Sequence, residues 1–271
     1  MKVLFKTYPK VSRFVLALIL FVLVLFISGL TSKGFIKEYV PYVSPVLLFV
    51  VTWLLYKTEG KTLASIGLNF SLKNLSFLPL GIGIGMVALF GATYLKALYL
   101  GETFEMENSI DYATLLLAFY FILPQVATEE FLFRGYLFKK TIEVSNVVVA
   151  NIIFSILFML IHVLDENVLQ QRGLIILLAV SIPVGHLLFA TALLKSKTLW
   201  FPIGLHLGNN WATRHLISNT NDSNSIFYLT DVNTFETWAP FIMFLVIFNG
   251  FFLLVTFLIW KWDKIVVLIK R

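Results

Sequence analysis

The sequence predicts an all-α, polytopic membrane protein with about eight transmembrane helices and both termini cytoplasmic. Of its 271 residues, 59% are apolar and 13% are charged, against roughly 25% charged in an average soluble domain. Apolar runs of membrane-spanning length recur along the whole chain. They are continuous rather than alternating, which indicates helices and not the strands of a membrane barrel. Lys and Arg also gather on alternate connections, as the positive-inside rule requires of an even number of crossings.

The spans fall near 13–31, 40–56, 75–98, 113–133, 146–164, 174–194, 198–217 and 238–260, each close to the ~20 residues a helix needs to cross the hydrocarbon. A cytoplasmic N-terminus puts 16 of the 21 basic residues on one side: Lys2, Lys6, Lys10 and Arg13, then Lys57, Lys61 and Lys73, Arg134, Lys139 and Lys140, Lys195 and Lys197, and Lys261, Lys264, Lys270 and Arg271. The opposite loops hold Lys33, Lys37 and Arg172 with Glu102, Glu105, Glu107, Asp111, Asp165, Glu166, Asp222, Asp231 and Glu236. The first span has a basic leader and a small-residue exit, Ser28–Ser32, as a signal peptide does. Its apolar run is long for one, and it is read as a retained helix.

Gly81, Gly83 and Gly85 follow no strand, so they read as a small-residue face for close helix contact and not as a nucleotide loop. The stretch 61–75 is expected along the cytoplasmic interface, with Leu63, Ile66 and Leu68 dipping toward lipid. The longest polar stretch, about 218–237, is expected to be an outer loop, and the chain reads as a single integral-membrane domain over 1–271. The absence of Cys removes disulfides, thiolate metal sites and thiol nucleophiles. A net charge of +6 is accounted for by basic loops facing an anionic leaflet, so the bilayer and not nucleic acid is the expected partner.

Ionisable groups inside a span cost about 2.5–3.5 kcal/mol each on insertion scales, which makes them functional candidates. Three clusters qualify: Glu129, Glu130 and Arg134 in the fourth span, Phe158 and His162 in the fifth, and His206, Asn209 and Asn210 in the seventh. Glu130 and Arg134, Phe158 and His162, and His206 and Asn210 are each four residues apart, so each pair shares a helical face. If helix four runs unbroken to about Glu143, Glu129 and His162 stand roughly 23 and 26 Å above the turn that joins their helices. His206 stands roughly 15 Å above its own turn, a difference that tilt or a kink at Pro202 could absorb.

Two carboxylates, two imidazoles and an amide in a low-dielectric pocket suit hydrolysis, with one Glu taking a proton from water and a His and an amide meeting an oxyanion. The same Glu129, His162 and His206 also make the ligand set of a catalytic zinc with an open position. The remaining intramembrane His186 reads as a packing or backbone-satisfying residue, and Arg214 and His215 as an interfacial pair.

These residues form, in order, Glu-Glu-x-x-x-Arg, Phe-x-x-x-His and His-x-x-x-Asn. In them the chain resembles the CAAX protease and bacteriocin-processing (CPBP) family of intramembrane endopeptidases, which includes the CAAX prenyl endopeptidases. The resemblance covers about 125–211, with Leu199–Pro202 approaching the last motif, and implies a catalytic core of about 113–217. It implies peptide-bond hydrolysis in which Glu129 activates water assisted by His162, His206 and Asn210 stabilise the oxyanion, and Glu130, Arg134 and Phe158 support the pocket. It leaves zinc and a metal-free glutamate mechanism both open. The implied substrate is a peptide or a membrane-associated protein, and a Cys-free chain with many Lys and Asn suits a bacterial plasma membrane and bacteriocin processing or self-immunity. A non-proteolytic immunity or binding protein is the first alternative. A proton-coupled transporter is the second, although no internal repeat of the transporter kind is present.

Overall fold

The structure is a computed structural model that describes residues 7–218, 224–232, 235 and 237–269, with side chains through residue 264. Lys2, Lys6, Asp222, Glu236, Lys270 and Arg271 of the charge pattern lie outside the described residues.

Every expected span meets a helix. In chain order these are α1 (Pro9–Thr31), the short α2 (Gly34–Tyr39), α3 (Val43–Thr58), α4 (Leu72–Leu75) leading into α5 (Phe77–Leu100), and α6 (Tyr112–Phe133). They continue as α7 (Tyr136–Val144), α8 (Val147–Val163), the short α9 (Glu166–Leu169), α10 (Arg172–Ser196), α11 (Trp200–Trp211) and α12 (Trp238–Ile269). Five segments are long and apolar enough to cross a membrane: Pro9–Thr31, Leu72–Leu100, Tyr112–Val144, Arg172–Ser196 and Trp238–Lys264. The protein is an all-α polytopic membrane protein, with α3 and α8 as shorter apolar helices.

Helix starts follow local chemistry. Asp111 caps α6 by accepting hydrogen bonds from the Ala113 and Thr114 backbone N–H groups and the Thr114 hydroxyl, which holds its carboxyl below the usual carboxylate range. Asn146 caps α8 through the Val149 N–H.

The sequence expectation of an unbroken fourth helix is corrected. The helix stops at Arg134 and restarts as α7 after Gly135, where a Cβ would run into the Phe131 carbonyl. The kink expected at Pro202 is also replaced. Pro202 lies in the first turn of α11, where a missing N–H leaves no bond unmade. That helix ends at Trp211 and passes into a π-turn over Ala212–Leu216.

Within the stretch 61–75, Ile66 and Leu68 do not dip toward lipid, whereas Phe70 and Leu72 are exposed. Ile66 and Leu68 are buried in the protein, where the Ile66 carbonyl accepts from the Leu199 N–H and the Gly67 carbonyl from the Thr198 hydroxyl. Gly67 has a positive φ, and a Cβ there would meet the backbone of Lys197 and Thr198, so only glycine lets the loop brace the start of α11. Within the expected outer loop, Phe227–Thr230 is a strand. β1 (Thr103–Met106), β3 (Phe227–Thr230) and β2 (Ile217–Ser218) form a sheet in that order, β3 antiparallel to β1 and parallel to β2.

The centre of the molecule is the packing of α11 on α5. A Cβ at Gly81 or Gly85 of α5 would strike the backbone of α11 around Leu205, and one at Gly204 or Gly208 of α11 would strike the α5 carbonyls of Leu78 and Ile82. Four glycines therefore let two helix backbones touch on either side of His206, as the small-residue face predicts. Gly83 meets nothing.

Candidate active site

His206 organises the polar centre. Its Nδ1 lies 2.8 Å from Oε1 of Glu130, and the same oxygen accepts from Nη1 of Arg134 at 3.1 Å. Glu130 and Arg134 are fully buried, and His206 is 4% exposed. A carboxylate only accepts, so Nδ1 carries a proton and donates it, and Nε2 is turned the other way. There Oε2 of Glu129 stands 3.6 Å from Nε2, beyond hydrogen-bond length. That Glu129 oxygen is buried and takes no hydrogen bond from the described residues. Oε1 of Glu129 accepts from the Gln125 amide at 2.9 Å.

The Glu130–Arg134 bond has the i, i+4 geometry read from the sequence, formed in the last turn of α6 before it breaks at Gly135. Aromatic rings hold both ends of the array. The Arg134 guanidinium lies 4.2 Å from the Phe158 ring centre and 5.1 Å from that of Phe189, a cation–π sandwich. Phe189 also stacks on His206 at 4.7 Å and 17°.

The cavity beside this centre has a volume of about 580 Å³, within the usual range for ligand sites. His162, His206, Asn209, Asn210 and Phe158 line it, with Gln125, Lys96 and Arg214. Leu177, Leu178 and Ile182 of α10 and Phe244, Phe248 and Phe252 of α12 give it an apolar side, which also carries Ser181 and Asn249. Ile217 and Leu229 of the sheet also line it. Glu129 sits between two lining residues, Gln125 and His206.

The structure thus gathers Glu129, Glu130, Arg134 and His206 in direct contact, and sets His162, Asn210 and Phe158 on the cavity shared with His206. Nδ1 of His162 lies 2.8 Å from the Phe158 carbonyl of its own helix, which leaves Nε2 free of that bond. The Phe158 ring stands edge-on to both His162 and His206.

For a zinc ion the residues do not fit as they stand. Among the described residues no three His, Asp or Glu side chains gather into a set that could hold a metal, and Glu129, His162 and His206 form no such group.

Several site residues have no sequence signal of their own. Gln125 and Phe189 are ordinary residues of long helices and join the centre only through packing. Asn209 lines the cavity as Asn210 does. Arg214 donates to the Gln125 carbonyl oxygen, while His215 Nδ1 meets the Asn224 carbonyl. His186 packs against Phe138 and Phe158, but neither ring nitrogen bonds to backbone or any other described residue.

No curated protein and no solved structure matches the chain. Residues 111–212, which contain all three motifs, match the family model for Type II CAAX prenyl endopeptidase Rce1-like proteins, in agreement with the family that the motifs resemble.

Proposed function

We propose that this protein is an intramembrane endopeptidase in which Glu129 activates water for attack on a peptide bond. One observation carries the reading: a carboxylate with an unengaged buried oxygen faces an imidazole that a second, Arg-held carboxylate fixes in place, beside a cavity within the helices. Glu129 takes a proton from water, with His162 orienting that water, and the hydroxide adds to the carbonyl carbon. The oxyanion is met by the Asn210 amide and by Nε2–H of His206, whose positive charge Glu130 balances across the ring. Glu129 then returns its proton to the leaving nitrogen, the C–N bond breaks, and an amine and a carboxylic acid leave.

The apolar wall of Leu177, Leu178, Ile182, Phe244, Phe248 and Phe252 favours a peptide with apolar residues beside the cut, either free or at the end of a membrane-associated protein. Bacteriocin processing or self-immunity in a bacterial plasma membrane is the use we propose. Protection of cells that survives Glu129→Gln would replace this with binding alone.

The test is cleavage of a quenched fluorescent peptide library by the purified protein in detergent, with and without a chelator. Wild type is expected to cleave in both conditions, and Glu129→Gln to lose at least about a hundredfold. Full activity in Glu129→Gln overturns the reading, and loss on chelation that zinc restores moves it to a metalloenzyme.

A further inference from the structure

Glu129 has two oxygens, and they are not equivalent. Oε1 receives the Gln125 amide at 2.9 Å, and the Gln125 carbonyl oxygen in turn receives Nη2 of Arg214 at 3.1 Å. Gln125 stands one helical turn before Glu129, so the first bond is local to α6. The second crosses from the π-turn after α11. The Trp211 indole holds the two helices in register there, donating to the Leu115 carbonyl at 2.8 Å and stacking on Phe119 at 5.0 Å and 5°. π-turns inside helices concentrate at functional sites.

The amide can satisfy both neighbours in one orientation only, because a flipped Gln125 would set its oxygen against the carboxylate and its NH₂ against the guanidinium. Arg214 therefore fixes which way Gln125 points. Of the two cations on the cavity among the described residues, Lys96 is engaged by the buried Glu102 at 2.5 Å, while Arg214, itself exposed, bonds to Gln125.

We propose that Gln125 is a positioning residue for Glu129, held in its working orientation by Arg214, so that Oε1 is tied down and Oε2 alone is presented as base. The proposal rests on the reading of Glu129 as the base. The simpler account is a surface Gln–Glu bond that only supports the helix. That account predicts lost stability on substitution, with no selective change in turnover.

The test uses the full chain in detergent and the variants Gln125→Ala, Arg214→Ala, their double and Arg214→Lys. With the peptide that wild type cleaves best, each alanine variant is expected to lower kcat about ten- to a hundredfold with KM within about twofold of wild type. The double variant is expected to be no worse than either single, because both cut one line, and Arg214→Lys, which keeps a donor for Gln125, to retain most of the rate. Multiplying effects, or losses confined to KM, overturn the proposal.

A second readout needs no cleavage: carbodiimide labelling of Glu129 followed by mass spectrometry. Labelling is expected to rise severalfold in both alanine variants and to stay near wild type in Arg214→Lys. Unchanged labelling overturns the proposal. Raised labelling in a protein that cleaves no peptide would leave the positioning standing and remove the endopeptidase reading, so the two failures are distinguishable.

Discussion

Glu129 and Glu130 are adjacent in sequence and do opposite work. Glu130 is fully buried and bonded to both Arg134 and His206, so removing its charge strands a buried guanidinium. Glu130→Gln is expected to cost about 3–5 kcal/mol of stability, as breaking buried pairs does, visible as a lower melting temperature in detergent. Glu129 lies outside that ion pair, so Glu129→Gln is expected to melt within a few degrees of wild type while losing cleavage. Comparable destabilisation by both variants would contradict this division. The motif residues were legible in sequence because ionisable groups stand out in apolar runs. Phe189 was not, since one phenylalanine among 27 carries no mark. Its stack on His206 and contact with Arg134 exist only where α10 packs on the site.

The contact of α5 with α11 is made by glycines at matched positions, and it is testable one methyl group at a time. Gly85→Ala and Gly208→Ala place a Cβ into facing backbone, which cannot yield as a side chain would. Each is expected to cost about 1–3 kcal/mol and to lower cleavage, because His206 lies on the strained helix. Gly83→Ala, one step round α5, meets nothing and is expected to leave melting temperature and cleavage unchanged. Equal effects at 83 and 85 would refute the close packing. The glycine face was readable from its spacing, but its partner was not: Gly204 and Gly208 lie more than a hundred residues away. The break at Gly135 was missed because a single glycine is compatible with a continuous helix, and only packing chose the turn.

At the scale of the whole molecule, the end opposite the sheet is tied by charge. Glu59, just past α3, accepts from Lys140 of α7 at 2.6 Å and from the Tyr136 hydroxyl, and pairs with Lys61 at 3.3 Å. Arg13 of α1 donates to the Thr58 hydroxyl at 2.9 Å, and Lys10 to the Glu143 carbonyl at 3.3 Å. Burial alone would raise the Glu59 carboxyl, but Lys140, Tyr136 and Lys61 together hold it below its ordinary value. A lowered folded value means that the stabilisation is present above the unfolded carboxylate value of about 4.3 and is lost as pH falls through the folded one. The melting temperature is therefore expected to fall more steeply toward acid in wild type than in Glu59→Gln, with Glu59→Gln already lower near neutral pH. Parallel curves would show that the cluster contributes nothing. By itself the sequence determined the membrane class, the helix positions and the motif residues, because hydropathy, charge segregation and four-residue spacing are local properties of the chain. Tertiary structure decided which oxygen of Glu129 stays free, which nitrogen of His206 faces it and what lines the cavity. Those depend on contacts between helices far apart in sequence, whose register is set by packing and leaves no local trace.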